Sequence, residues 1–366
     1  MTPSGTGKPA LTVHIGLGKT GTTVLQRFFD SNRKALGEYG ICYPSYGQRG
    51  FAQHLLSPFI PNGLDDWSFI PAVEWAPELA DNGERSTLVS SELISACDAD
   101  TARQFCNTLK DHFTLKIVAY LRRQDEIIMA NYNQHVKTGR QRRRLEEVLD
   151  DMLAQFDYLA TLQPWAESVS PDSFIVRPYA HEQFFGGDIR RDFMHHVFGL
   201  DSIDGLVLDG SDPNPRLGNK TLALKRLLNI LVKGPGQRQE LQNLFTRHHR
   251  EAESIAGGSG SGLTLLSPSA RQDIVDHFAE SNEAIAKQFL GREDGRLFGN
   301  DIPGSDGDWS ENTLTAHDMD TLIAFFWKRD PALLASLSDN ATAYLDDTDT
   351  QLQQLARSLR ASANAL

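Results

Sequence analysis

The sequence predicts an α/β fold: a parallel sheet flanked by helices in three layers, with a helical carboxyl-terminal extension. Three observations carry that expectation. Short apolar runs rich in β-branched residues recur at Leu11–Ile15, Ser86–Ser91, Leu115–Leu121 and Ser173–Arg177, each too short for a stable helix. Amphipathic helical patterns separate them, and strands joined through helices run parallel with both faces covered. Beyond Leu314 the strand-like runs cease and apolar residues recur at helical spacing.

Leu11–Ile15 runs straight into Gly16 and then into a helix pattern through Val24, Leu25, Phe28 and Phe29. Gly16, Gly18 and Gly21 permit the backbone angles that turn successive amides inward around an anion. Thr20, Thr22 or Thr23 can cap the helix, whose positive end then faces the loop. Lys19 places a mobile ammonium in the same turn. The loop of nucleoside triphosphatases, G-x-x-x-x-G-K-[ST], fails here because Val13 stands where its first glycine belongs. GLGKTG satisfies the dinucleotide pattern G-x-G-x-x-G literally, yet no strand ending in an acid follows about 20 residues on to bind a ribose.

Between Ser45 and Asn82 no period is sustained, and the many Pro, Gly and aromatic residues read as loops and helix fragments beside a substrate pocket. His54 stands there among apolar neighbours, as a structural histidine or as a catalytic base. The second strand ends at Glu92, where parallel sheets place chemistry; the alternative is an acid favoured at a helix start. Asp98 or Asp100 caps the next helix. The strand Leu115–Leu121 ends in Arg122-Arg123, ahead of a helix through Ile127, Ile128, Tyr132 and Val136. The basic run Arg140, Arg142, Arg143 and Arg144 reads as a solvated loop balanced by nearby acids, or as a face for an anion. An amphipathic helix is expected from Leu145 to beyond Leu159, another from Phe184 to Val197, and others over Leu222–Leu231 and Ser267–Leu290.

HIGLGKTGTTVLQ resembles the 5′-phosphosulfate loop of sulfotransferases that use 3′-phosphoadenosine 5′-phosphosulfate (PAPS), with its Lys-[TS]-Gly-[TS]-[TS] turn. The resemblance covers roughly residues 11–297 and implies a P-loop-like sulfotransferase fold in which Gly18, Lys19, Thr20, Gly21, Thr22 and Thr23 hold the donor. It implies that KIVAYLRRQDEIIMANYNQHVKTG binds the 3′-phosphate through Arg122. The family's partner serine, eight residues on, is replaced by Ala130. Asn131 lies next to it, but one residue is about 100° of helix rotation, so Asn131 substitutes only if the register shifts; Arg123 is a further candidate. Arg177, with Pro178 and Tyr179, extends the resemblance; the alternative for Arg177 is a sheet-end ion pair. SSEL resembles the segment carrying the catalytic glutamate, which makes Glu92, or failing it His54, the base. The implied reaction moves a sulfuryl group from PAPS to a hydroxyl, on a small molecule or a glycan, with 3′-phosphoadenosine 5′-phosphate (PAP) as product and no metal.

Composition bounds the rest. A net charge of -12 opposes nonspecific binding to nucleic acid. No apolar run approaches a membrane span, the first ten residues read as a loose tail without a signal core, and Cys42, Cys97 and Cys106 form no C-x-x-C pair; together these suggest a cytoplasmic protein. The expected organisation is a tail over 1–10, an α/β domain over 11–298, and helices over 313–366 that pack on the domain or on a second copy. AGGSGSG at 256–262 reads as a flexible loop and GNDIPGSDGDWSEN at 299–312 as a boundary. Two other readings stay open: a P-loop kinase, and a nucleotide-binding scaffold without catalysis.

Overall fold

The computed structural model describes residues 7–60, 66–81, 86–208, 216–257, 265–299, 302, 304 and 314–364. Most of the expected tail, the glycine-rich loop and the boundary segment lie outside these residues. The chain divides into two compact units, each gathered from separated stretches. The first comprises Met1–Ile127, Phe156–Ser211 and Val275–Asp301, and the second Ile128–Gln155, Asp212–Ile274 and Ile302–Leu366.

The first unit is built on five parallel strands, β1 (Ala10–His14), β2 (Ile41–Cys42), β3 (Ser86–Ser90), β4 (Thr114–Leu121) and β5 (Phe174–Pro178), in the order β2-β3-β1-β4-β5. Four match the sequence expectation within a residue or two. The edge strand β2 was not foreseen, because two residues carry no readable period; its pairing with Ser86 and Thr87 defines it. Since all strands run parallel, their carboxyl ends share one rim, and the strand order reverses across β1.

Alternation along the strands sends side chains to two helical layers. On one face, His14, Val118 and Tyr120 meet α1 (Thr22–Ser31) and the helix Ile189–Phe198, with Leu25, Phe28, Phe29, Phe193 and Val197 forming a continuous core. On the other, the helices Ala72–Ala80, Ala99–His112 and Tyr158–Ala166 interlock through Trp75, Phe105 and Trp165. Asp98 caps the second of these by accepting from the Thr101 amide at 2.8 Å.

Three expected helices are interrupted. The pattern over residues 145–159 breaks into Leu149–Leu153 and Tyr158–Ala166, because Asp157 captures the amides of Leu159 and Ala160 and starts a new helix. Phe184 and Phe185 lie outside the helix Ile189–Phe198, which starts at its own cap, Asp188. The stretch 267–290 divides at Phe278.

The second unit is helical. Its carboxyl-terminal helices are Ala316–Trp327, Pro331–Ala341 and Thr350–Asn364, the second capped by Asp330 with Pro331 in its first turn. Phe245 stacks on Phe326 at 4.4 Å, tying the first of them to the helix Pro235–Arg247. Two residues of the basic run are ion-paired: Arg143 with Glu147 and Asp151, and Arg144 with Asp349.

Candidate active site

The turn between β1 and α1 carries three left-handed residues in six positions: Gly16 (φ 46°), Lys19 (φ 65°) and Gly21 (φ 80°). Among the described residues Lys19 is the sole non-glycine with positive φ. A side chain in that region is uncommon, and such outliers concentrate where a loop is shaped for a ligand. At Gly21 the freedom is needed twice over, because a Cβ would also stand 2.6 Å from Ile189 and 2.7 Å from Tyr179. At Gly18, by contrast, a Cβ would meet nothing within 4 Å.

None of the three threonines caps α1. Gly21 occupies the N-cap position and no side chain bonds the first-turn amides. The hydroxyl of Thr20 is buried and donates to the Leu17 carbonyl, and Thr22 is buried against Gly16. The opening amides of α1 have no partner within the helix itself and face the turn.

Glu92 follows the end of β3, and its main chain packs on Gly16, where a Cβ would lie 3.2 Å from the Glu92 Cα. Its carboxylate accepts from Gln26 Nε2 at 3.0 Å. The same amide nitrogen donates to Ser90 Oγ at 3.3 Å, so α1 both follows the loop and aims the acid. His54 Nε2 lies 3.9 Å from Glu92 Oε1, bringing together the two candidate bases. The Glu92 side chain is 34% exposed and the His54 side chain 16%.

The His54 ring is held at Nδ1 by Ser91. The buried Ser91 Oγ accepts from the Leu93 amide at 3.2 Å and lies 2.8 Å from His54 Nδ1. When Ser91 donates to Nδ1, Nε2 carries the proton and faces Glu92; when Nδ1 donates to Ser91, Nε2 is bare. Burial lowers the proton affinity of His54, and the charge of Glu92 partly opposes that. Behind this pair His14 is fully buried, with Nδ1 2.9 Å from Ser90 Oγ, and burial pulls its pKa down to about 3.

Arg122 leaves the end of β4 with its Nε bonded to Glu126 at 2.9 Å and its Nη1 donating to the Lys19 carbonyl at 3.4 Å. Its guanidinium lies over Tyr179 at 5.4 Å. Arg123 points elsewhere: it is buried and bonded to Asp125 at 2.7 Å. Arg177 is likewise engaged, donating to the buried Asp192 and to the Gln183 carbonyl. The residue of its trio that meets the loop is Tyr179, packed against Gly21. Ala130 and Asn131 lie on the helix Gln124–Lys137, in its portion belonging to the second unit; Ala130 is buried and Asn131 half-buried.

The structure therefore gathers Gly18, Lys19, Gly21, Glu92, His54 and Arg122 in the first unit, and turns Thr20 and Arg177 to other partners. Gln26, Ser91 and Tyr179 complete the arrangement. All three stood inside motifs read from sequence, but nothing there marked what they touch.

No protein-family model matches the chain. A protein of Archaeoglobus fulgidus, described only as uncharacterized, is 27% identical over 205 residues, 56% of this chain and 54% of that one. The chain thus spans about half the length of that relative. Among solved structures, a sulfotransferase from Alicyclobacillus acidocaldarius aligns with a TM-score of 0.39 at 17% identity, covering 68% of this chain and 95% of that one. A likeness of that size does not assign a family.

Proposed function

We propose that the chain is a sulfotransferase that moves a sulfuryl group from PAPS to an acceptor hydroxyl. The observation that carries this reading is Lys19 in left-handed conformation within the β1–α1 turn, its carbonyl held by Arg122. Two cations and a set of inward amides at one rim suit a donor with an anionic group at each end. The Lys-Thr-Gly-Thr-Thr sequence of the turn favours a phosphosulfate over a triphosphate.

In the proposed reaction an acceptor oxygen forms a bond to sulfur as the bond from sulfur to the 5′-phosphate oxygen breaks. The electron pair leaves on that phosphate, where Lys19 and the loop amides offset the growing charge. The acceptor proton passes to Glu92. Gln26 and His54, as its Nε2–H tautomer, orient the carboxylate from two sides. Arg122 serves the 3′-phosphate of the donor, so that PAP departs as product.

Thermal denaturation tests the reading. A ligand at 100 times its dissociation constant adds about 2.7 kcal/mol of stability. PAP is expected to raise the melting temperature while ATP and GTP leave it unchanged. A shift with ATP alone would favour a kinase, and no shift with any of the three would favour a scaffold.

A further inference from the structure

Two arginines of the first unit, Arg27 and Arg49, differ from several others there in having no acidic partner among the described residues. Arg33, Arg122, Arg123, Arg177 and Arg190 each meet a carboxylate within 3.0 Å. Arg27 and Arg49 meet none among the described residues, in a chain with 48 acidic side chains. Each instead lies over an aromatic ring: Arg27 over Phe51 at 4.8 Å and Arg49 over Trp67 at 4.1 Å. The Arg27 Nε is buried without a hydrogen-bond partner. A guanidinium laid on a ring keeps its full charge and loses part of its hydration, which favours an incoming anion.

Their position relates them to the chemistry. Trp67 lies 6.0 Å from the His54 ring and stacks on Phe69 at 6.0 Å. Arg49 and Phe51 belong to one tight turn, closed by the Arg49 amide on the Ala52 carbonyl at 2.8 Å. Gln53, next in sequence, exchanges two 3.0 Å bonds with the main chain of Ser90 and so pins that turn to the end of β3. Arg27 follows Gln26, the residue that holds Glu92. Trp67 thus borders His54 with Arg49 over its ring, and Arg27 lies over Phe51 in the same turn as Arg49.

We infer that the acceptor is an anion: a hydroxyl compound carrying a carboxylate or sulfate ester near the reacting oxygen, with a ring face that packs on Trp67. This deepens the sulfotransferase reading and rests on it. Arg49 is exposed and already hydrated; what an anionic acceptor adds over a neutral one is charge-assisted hydrogen bonds to these guanidiniums.

A matched pair of probes tests it on the full chain with PAP present: 4-nitrophenyl β-D-glucuronide and 4-nitrophenyl β-D-glucoside, which differ in a carboxylate against a hydroxymethyl group. Titration calorimetry is expected to show the glucuronide binding about tenfold more tightly. Arg27→Gln and Arg49→Gln are each expected to reduce that preference several-fold while the melting shift given by PAP persists. Equal affinity for both probes, or binding of neither, overturns the inference. So does loss of the PAP shift in the arginine variants, which would assign these cations to the donor. Absence of a PAP shift in the unmodified chain would instead sink the sulfotransferase reading, and the probe comparison, which needs no variant, is still read independently.

Discussion

The guanidinium of Arg122 donates to the main-chain carbonyl of Lys19 across 3.4 Å, joining the end of β4 to the turn that follows β1. The bond falls on the residue whose backbone is least at ease, since Lys19 has φ 65°. Two segments a hundred residues apart therefore meet at a strained position that carries a cation.

Lys19→Gly separates strain from function. Glycine adopts positive φ without penalty, so the substitution is expected to leave the melting temperature unchanged or raise stability by up to about 1 kcal/mol. Turnover with PAPS is expected to fall by about 10²–10³, the usual loss when one stabilising donor is removed from a transition state. Retention of full turnover in a coupled PAP-release assay would contradict the role given to the ammonium.

Gly18 and Gly21 are expected to diverge on mutation to alanine. Gly21→Ala meets Ile189 and Tyr179 at 2.6 and 2.7 Å with φ at 80°, and is expected to cost roughly 1–3 kcal/mol in urea denaturation. Gly18→Ala faces open space and is expected to stay within about 0.5 kcal/mol of the parent. A weaker PAP shift in the stable Gly18→Ala protein would indicate that the donor approaches the backbone at that point.

Glu92→Gln is expected to reduce kcat by about 10²–10⁴ while the PAP melting shift persists, because donor and acceptor proton are handled by different residues. His54→Gln is expected to lose less, since its Nε2–H orients the carboxylate rather than taking the proton. Rapid-quench kinetics separates the two; a larger loss from His54→Gln would exchange their roles.

Acid stability is expected to report on His14. Its pKa is about 3 in the fold, against about 6.5 in an unfolded chain. Between those values the unfolded state binds more protons, so the contribution of the neutral ring is complete above about pH 6.5 and is lost as pH falls toward 3. Each tenfold difference in proton affinity is worth about 1.4 kcal/mol. Urea melts of the parent and of His14→Gln, taken from pH 7 to pH 4, are expected to converge as the pH drops.

Much of the architecture was legible because it is written in local pattern. The runs at β1, β3, β4 and β5, the helix after the glycine turn, the Asp98 cap and the break at Asp330-Pro331 all follow from period and turn chemistry over a few residues. The two-residue β2 and the Asp157 cap escaped. An edge strand is defined by its neighbour, and a cap inside an apolar period reads as continuing helix.

What local pattern supplied was a list: a glycine-rich turn with Lys19, an acid after a strand, an arginine after another, and a histidine of uncertain purpose. It could not say that His54 lies 3.9 Å from Glu92, that Gln26 reaches across to aim that acid, or that Arg177 is bound to Asp192 while Tyr179 covers the loop. These pairings span from 15 to 158 positions of chain. They come from the parallel sheet, which brings the carboxyl ends of distant strands to one rim, and from burial, which makes each polar side chain there take the nearest available partner.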